Sequence, residues 1–176
     1  MIVNGGTFGG TGAITGGVTV NTGGTLSPGA SIESLSTGSV SLTSGATLAL
    51  EFDLAALTPE STADLLSVTG AIDLGGSTLS LSLASAPAGP YTGTFLVAMN
   101  DASDGITCTF NPTITGLPVG WSATIDYAFT GTDTLGRLGD GNDIALTLIG
   151  VPEPSGVALL SIASIAVGGV LRRRSH

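Results

Sequence analysis

The chain contains no lysine, one histidine and one cysteine in 176 residues, and only eight aromatic side chains. Each shortage excludes something. Three of the four arginines (Arg172, Arg173 and Arg174) fall in the last five residues, so residues 1–150 carry one cation, Arg137, against twelve carboxylates, a net charge of −11. Phosphate backbones are held by clusters of Lys and Arg, and without one nucleic-acid binding is excluded. His176 is the last residue, which leaves the body without an imidazole to activate a Ser or Cys nucleophile and without a His/Cys cluster for zinc. Neither the nucleophile elbow G-x-S-x-G nor the Lys-dependent phosphate loop occurs. Cys108 has no second cysteine with which to form an intramolecular disulfide, and it is expected to be a small buried hydrophobe.

What is present in excess is small and hydroxylated. Gly (28), Thr (24) and Ser (19) make up about 40% of the chain. Leu, Ile, Val and Phe supply 49 residues, about 28%, which is enough for a core built from aliphatic rather than aromatic side chains. The length sets an expectation of about one domain.

Period-two alternation marks residues 17–21, 39–43, 47–52 and 77–83, with Val, Leu or Phe on one face and Thr, Ser or Asn on the other. That pattern predicts half-buried strands. A repeat underlies it. Val18-Thr19-Val20 leads through Gly23-Gly24 to Thr25-Leu26, Val40-Ser41-Leu42 through Gly45 to Thr47-Leu48, and Ile72-Asp73-Leu74 through Gly76 to Thr78-Leu79. The Thr-Leu steps are 22 and then 31 residues apart, the first close to one coil of a parallel β-solenoid and the second implying an insertion around residues 53–64. The segment 16–31, with its Val-rich strand, Gly-Gly-Thr-Leu step and Pro28-Gly29 turn, resembles the autotransporter-associated β-strand repeat. The resemblance covers about residues 4–52 and implies a right-handed parallel β-helix of a secreted, surface-displayed passenger. The expected fold is therefore all-β, with a β-solenoid-like repeat region over 1–83 and a β-rich capping region over 84–150. In the second part, strand candidates at 91–98, 107–110, 122–129 and 143–148 accompany Tyr91, Phe95, Phe110, Trp121, Tyr127 and Phe129, read as core and cap packing.

The last 26 residues change character. Val151-Pro152-Glu153-Pro154-Ser155 precedes an apolar run over 157–171, and Arg172-Arg173-Arg174 follow it. As a single hydrophobic helix the run spans roughly 22 Å, short of the ~30 Å hydrocarbon core, so it suits transient insertion better than permanent anchoring. The arginines fix its orientation with the acidic body outside. This order of proline-bracketed glutamate, apolar helix and terminal arginine cluster resembles the PEP-CTERM sorting signal. The resemblance implies an exosortase as partner, contact with the inner membrane through 157–171 before processing, and removal of the tail near Glu153 and Pro154. It also implies delivery to the cell envelope, surface or extracellular matrix of a Gram-negative bacterium, in association with exopolysaccharide. Residues 1–6 show no basic n-region, apolar h-region or cleavage site, so upstream coils or a signal peptide are expected to precede them.

Two acidic groupings suggest chemistry. Asp140, Asn142 and Asp143, among glycines, offer oxygen ligands of the kind calcium uses, in a single loop that also reads as a solvated turn; Asp101 and Asp104 form a weaker candidate. Glu51 and Asp53 share one face of a strand and read as part of an acidic surface rather than a glycosidase pair. No catalytic residue and no required cofactor is expected. The hydroxyl-rich surface also offers acceptors for O-linked glycans.

Overall fold

The computed structural model describes residues 1–151 apart from 56–57, 59–60, 88 and 102–103. Among them the chain is all-β, without a helix, and most of its strand pairs are parallel. The hydrophobic helix expected over 157–171 lies outside the described residues.

Strands come in threes, one for each of three sheets A, B and C. The first circuit is β1 (Ile2–Val3), β2 (Gly6–Gly10) and β3 (Gly12–Ala13). The second is β4 (Val18–Val20), β5 (Gly24–Pro28) and β6 (Ser34–Thr37). The third is β7 (Val40–Leu42), β8 (Thr47–Asp53) and β9 (Leu65–Val68). The fourth is β10 (Ile72–Asp73), β11 (Thr78–Ser85) and β12 (Tyr91–Asn100). Each strand pairs in parallel with its counterpart one circuit away, so sheet A runs β1-β4-β7-β10 and sheet B runs β2-β5-β8-β11. The boundary expected at residue 83 falls inside β11, and circuits continue past it: β13 (Ile106–Thr107) joins sheet A, and Thr115 donates to and accepts from β11 backbone.

The register is the one the repeat predicts. Val18, Val40 and Ile72 align in sheet A, and Leu26, Leu48 and Leu79 align in sheet B. Phe8 extends the second column by one circuit. Alternation puts these side chains inside, at no more than 1% exposure for all six aliphatic residues of the two columns, while the intervening Thr and Ser face outward. A turn closed by the same hydrogen bond joins A to B in three circuits, where the amides of Gly24, Ala46 and Ser77 donate to the carbonyls of Asn21, Thr43 and Leu74; in the last of these, Gly75 at the second position also has positive φ (49°). The third position of the turn is Gly23, Gly45 or Gly76, with φ of 83°, 83° and 72°. Only glycine takes that conformation without strain, which is why the Gly spacing marks the circuit.

The stack ends in an antiparallel cap. β15 (Ile144–Gly150) pairs with β12 on one side and with β14 (Trp121–Asp126) on the other. The inner face of β12 packs Phe95 edge-on against Phe52 of β8, with ring centroids 5.6 Å apart, so cap and stack share one core.

Candidate functional site

The corner between sheets B and C is where the chain departs from its regular winding. A cavity of about 440 Å3 opens there, lined by Thr11 and Gly12 of the first circuit, Glu33 and Ser34 of the second, Ala63 and Leu65 of the third, and Arg137 from the loop between β14 and β15. Hydroxyl, backbone and aliphatic surfaces predominate, with one carboxylate and one guanidinium.

Asp64 forms the hidden wall of this corner. Its side chain is buried, and its two oxygens accept from the backbone amides of Glu33 (3.1 Å) and Glu51 (2.8 Å), tying the second circuit to the third. Gly29 leaves room for it, since a Cβ there would come within 2.9 Å of Asp64 Oδ1. Burial raises the carboxyl from 3.8 to about 7; the two amides oppose the rise, and the charges of Glu51 and Glu33 add to it. A pKa raised on folding means the folded state holds the proton more tightly. The stability gained is full below the unfolded value of 3.8 and is lost as pH rises through about 7. Thermal unfolding of the native chain should therefore show a midpoint that falls across this window, and Asp64→Asn should flatten that fall. Parallel curves for the two proteins would refute the assignment.

A second buried carboxylate closes the corner from the cap side. Asp133 Oδ2 accepts from Leu96 N (3.0 Å) and Arg137 Nε (2.8 Å), and Oδ1 from Leu135 N (2.9 Å) and Arg137 N (2.8 Å). Arg137 Nη2 lies 2.8 Å from the same carboxylate. The side chain of Asp133 is fully buried and that of Arg137 is 13% exposed, so this is an interior ion pair.

The sequence candidates fall elsewhere. Asp143 is buried, and its oxygens accept from Asn100 N (2.8 Å) and Asp140 N (2.9 Å); Asp140 in turn accepts from Asn142 N (3.0 Å). Burial pushes the Asp143 carboxyl upward against these two amides, with the neighbouring Asp140 charge adding to the rise. Asn142 Nδ2 donates to the Asp104 carbonyl, so the two acidic loops of the sequence reading pack against each other. Among the described residues no group of three or more His, Cys, Asp or Glu is placed to hold a metal ion. Glu51 and Asp53 occupy the outward face of β8, where Asp53 accepts from Ala55 N (3.0 Å) and from Ser85 Oγ.

Cys108 corrects an expectation. It is exposed, not buried, and has φ of 58°, because it sits on the turn that leaves β13 at the end of sheet A, where no further circuit covers it. Its hydrogen bond to Asp73, with the charge of that carboxylate, pushes the thiol pKa up, which disfavours the nucleophilic thiolate.

Val151, the first residue of the segment expected from the sequence to be a sorting motif, is 63% exposed and donates its amide to Gly120 O (2.9 Å). Pro152, Glu153, Pro154, Ser155 and Arg172, Arg173 and Arg174 lie outside the described residues. Asp64 and Asp133 were missed by sequence reasoning. Their partners are almost all backbone amides, which leave no residue pattern to find.

The described residues thus make a stacked β body whose three buried aspartates hold loops to strands, with a hydroxyl-lined corner cavity. Comparison with protein-family models, with curated proteins and with solved structures gives no match.

Proposed function

We propose that the protein is a noncatalytic structural protein of the cell surface or extracellular matrix, exported and then sorted and processed by an exosortase at its C-terminal tail. The observation that carries this reading is the order of elements after the cap: Pro152-Glu153-Pro154, the apolar run over 157–171, broken only by the small residues Ser161, Ser164, Gly168 and Gly169, and Arg172-Arg173-Arg174. In that order Glu153 and its flanking prolines are the recognition element, the apolar run enters the inner membrane as a single helix, and the arginines hold the far end in the cytoplasm. The body is read as a right-handed parallel β-helix, a reading supported by three sheets visited in rotation with parallel register. Its surface carboxylates and hydroxyls suit a hydrated, polysaccharide-rich setting. A noncatalytic role is supported by what the buried carboxylates do: Asp64, Asp133 and Asp143 are committed to backbone amides.

A second reading, a surface adhesin or carbohydrate-binding module associated with exopolysaccharide, is favoured by the corner cavity, whose hydroxyls, Glu33 and Arg137 offer donors and acceptors to a sugar. The deciding experiment is mass spectrometry of the C-terminus of protein recovered from the envelope and medium of the native host, with and without exosortase. A terminus near Glu153 or Pro154 that depends on the enzyme is expected. An intact His176 in the membrane fraction of both strains would overturn the proposal. Retention of the recovered body on the host's polysaccharide would move the assignment to the second reading.

A further inference from the structure

The cap sheet has two chemically different ends. At one end Trp121, Gly150 and Tyr91 stand in register across β14, β15 and β12. The two rings lie 5.7 Å apart at an interplanar angle of 36°. Glycines make room for them: a Cβ on Gly150 would come within 2.6 Å of the Trp121 ring, and one on Gly93 within 2.6 Å of the Tyr91 hydroxyl. Val119 is 83% and Val151 63% exposed at the same end, held together by the Val151 amide bonded to Gly120 O. No charged residue occurs in 87–98, 112–125 or 144–151. The other end is acidic: Asp126 closes β14, Asp140 and Asp143 precede β15, and Asp101 and Asp104 follow β12. Five residues separate the Trp121–Gly150 pair from Asp126–Ala145, about 17 Å along the strands.

The chain leaves through the neutral end. Five residues, 152–156, connect Val151 to the apolar run beginning at 157, a reach of at most about 20 Å. We infer that the Tyr91–Trp121 end of the cap, with Val119 and Val151, is a docking surface for a zwitterionic phospholipid bilayer, on which the body rests while the tail is inserted. The inference builds on the proposal that 157–171 enters the membrane. The half-buried Trp121 ring beside the exposed, uncharged Val119 and Val151 matches the headgroup boundary, where an apolar body and a polar tip are both accommodated, while Tyr91, its hydroxyl buried, backs that ring from within. The short connection holds this end near that boundary. The acidic end, turned away, avoids the negative potential of anionic lipids.

Trp121 is the only tryptophan, so its emission reports on this surface alone. The full chain is reconstituted into phosphatidylcholine vesicles with and without brominated acyl chains, and co-flotation is measured on the same samples. Co-flotation with a blue-shifted Trp121 emission that falls about twofold with brominated lipid is expected. The double variant Val119→Asp/Val151→Asp, at two exposed positions, should still float but lose most of the quenching. Flotation without quenching would overturn docking and leave tail insertion standing. Failure to float would overturn both. Unchanged quenching in the double variant would show that these valines are not the contact, and would also overturn the proposed surface.

Discussion

Asp133→Ala is expected to destabilise the protein by about 3–5 kcal/mol, the range found when one partner of a buried ion pair is removed. The substitution strands Arg137 in a site where 13% of its side chain is exposed, and it removes the acceptor for the amides of Leu96, Leu135 and Arg137 itself. Leu96 is fully buried on β12, so its N–H has no solvent to turn to. Buried donors without acceptors cost about 1–3 kcal/mol each, which alone brings the total into this range even if part of the loop relaxes. Arg137→Met should cost less, because Asp133 keeps its three backbone donors. Urea unfolding followed by Trp121 emission measures both. A loss below about 1 kcal/mol for Asp133→Ala would show that the loop between β14 and β15 is held by something other than this carboxylate.

Leu48→Ala should have a comparable effect by a different route. Leu48 sits between Leu26 and Leu79 in the sheet B column and is 1% exposed, with a circuit stacked on either side. Backbone ladders on both edges of β8 keep the neighbouring circuits from closing on the space a leucine would vacate, so a cavity persists. Large-to-small changes at such sites cost about 2–5 kcal/mol. Ile2→Ala, at a residue 65% exposed on the terminal strand of sheet A, should change stability by less than about 0.5 kcal/mol. Chemical denaturation of the two variants gives the comparison directly. Equal losses would mean that the columns do not carry the stability of the stack.

Sheets A and B were legible in the sequence because their determinants are local and repeated. Val18-x-Val20, Val40-x-Leu42 and Ile72-x-Leu74 each precede a left-handed glycine and a Thr-Leu step, and the three copies align in space as they align on paper. The insertion expected at 53–64 is the connection between β8 and β9. Sheet C was harder to see. Ser34–Thr37 and Leu65–Val68 are four residues each, too short for alternation to stand out, and Gly12–Ala13 has no apolar side chain larger than a methyl group. The first circuit hides for a related reason: Gly6–Gly10 holds three glycines, and only Phe8 marks it as a strand with a core-facing side. The antiparallel cap depends on pairing between segments well separated in the chain, β12 with β15 and β14 with β15, which alternation within each segment does not specify. The corner was invisible, since Asp64 and Asp133 differ from surface aspartates only in what the chain wraps around them.

The three corners of the circuit treat length differently. Between sheets A and B the connections hold two to four residues, whereas between B and C they hold one (Thr11), five (29–33), eleven (54–64) and five (86–90). Lengthening a flexible loop is inexpensive, about 0.6 kcal/mol per doubling. The stacking register is fixed in sheets A and B by the Val and Leu columns, so added residues at the corner between sheets B and C need not shift any core side chain. The architecture therefore separates a frame whose connections stay short from circuit to circuit from a margin whose connections vary: insertion along that one edge can reshape this molecule's outer surface while the frame that bears it stays in register.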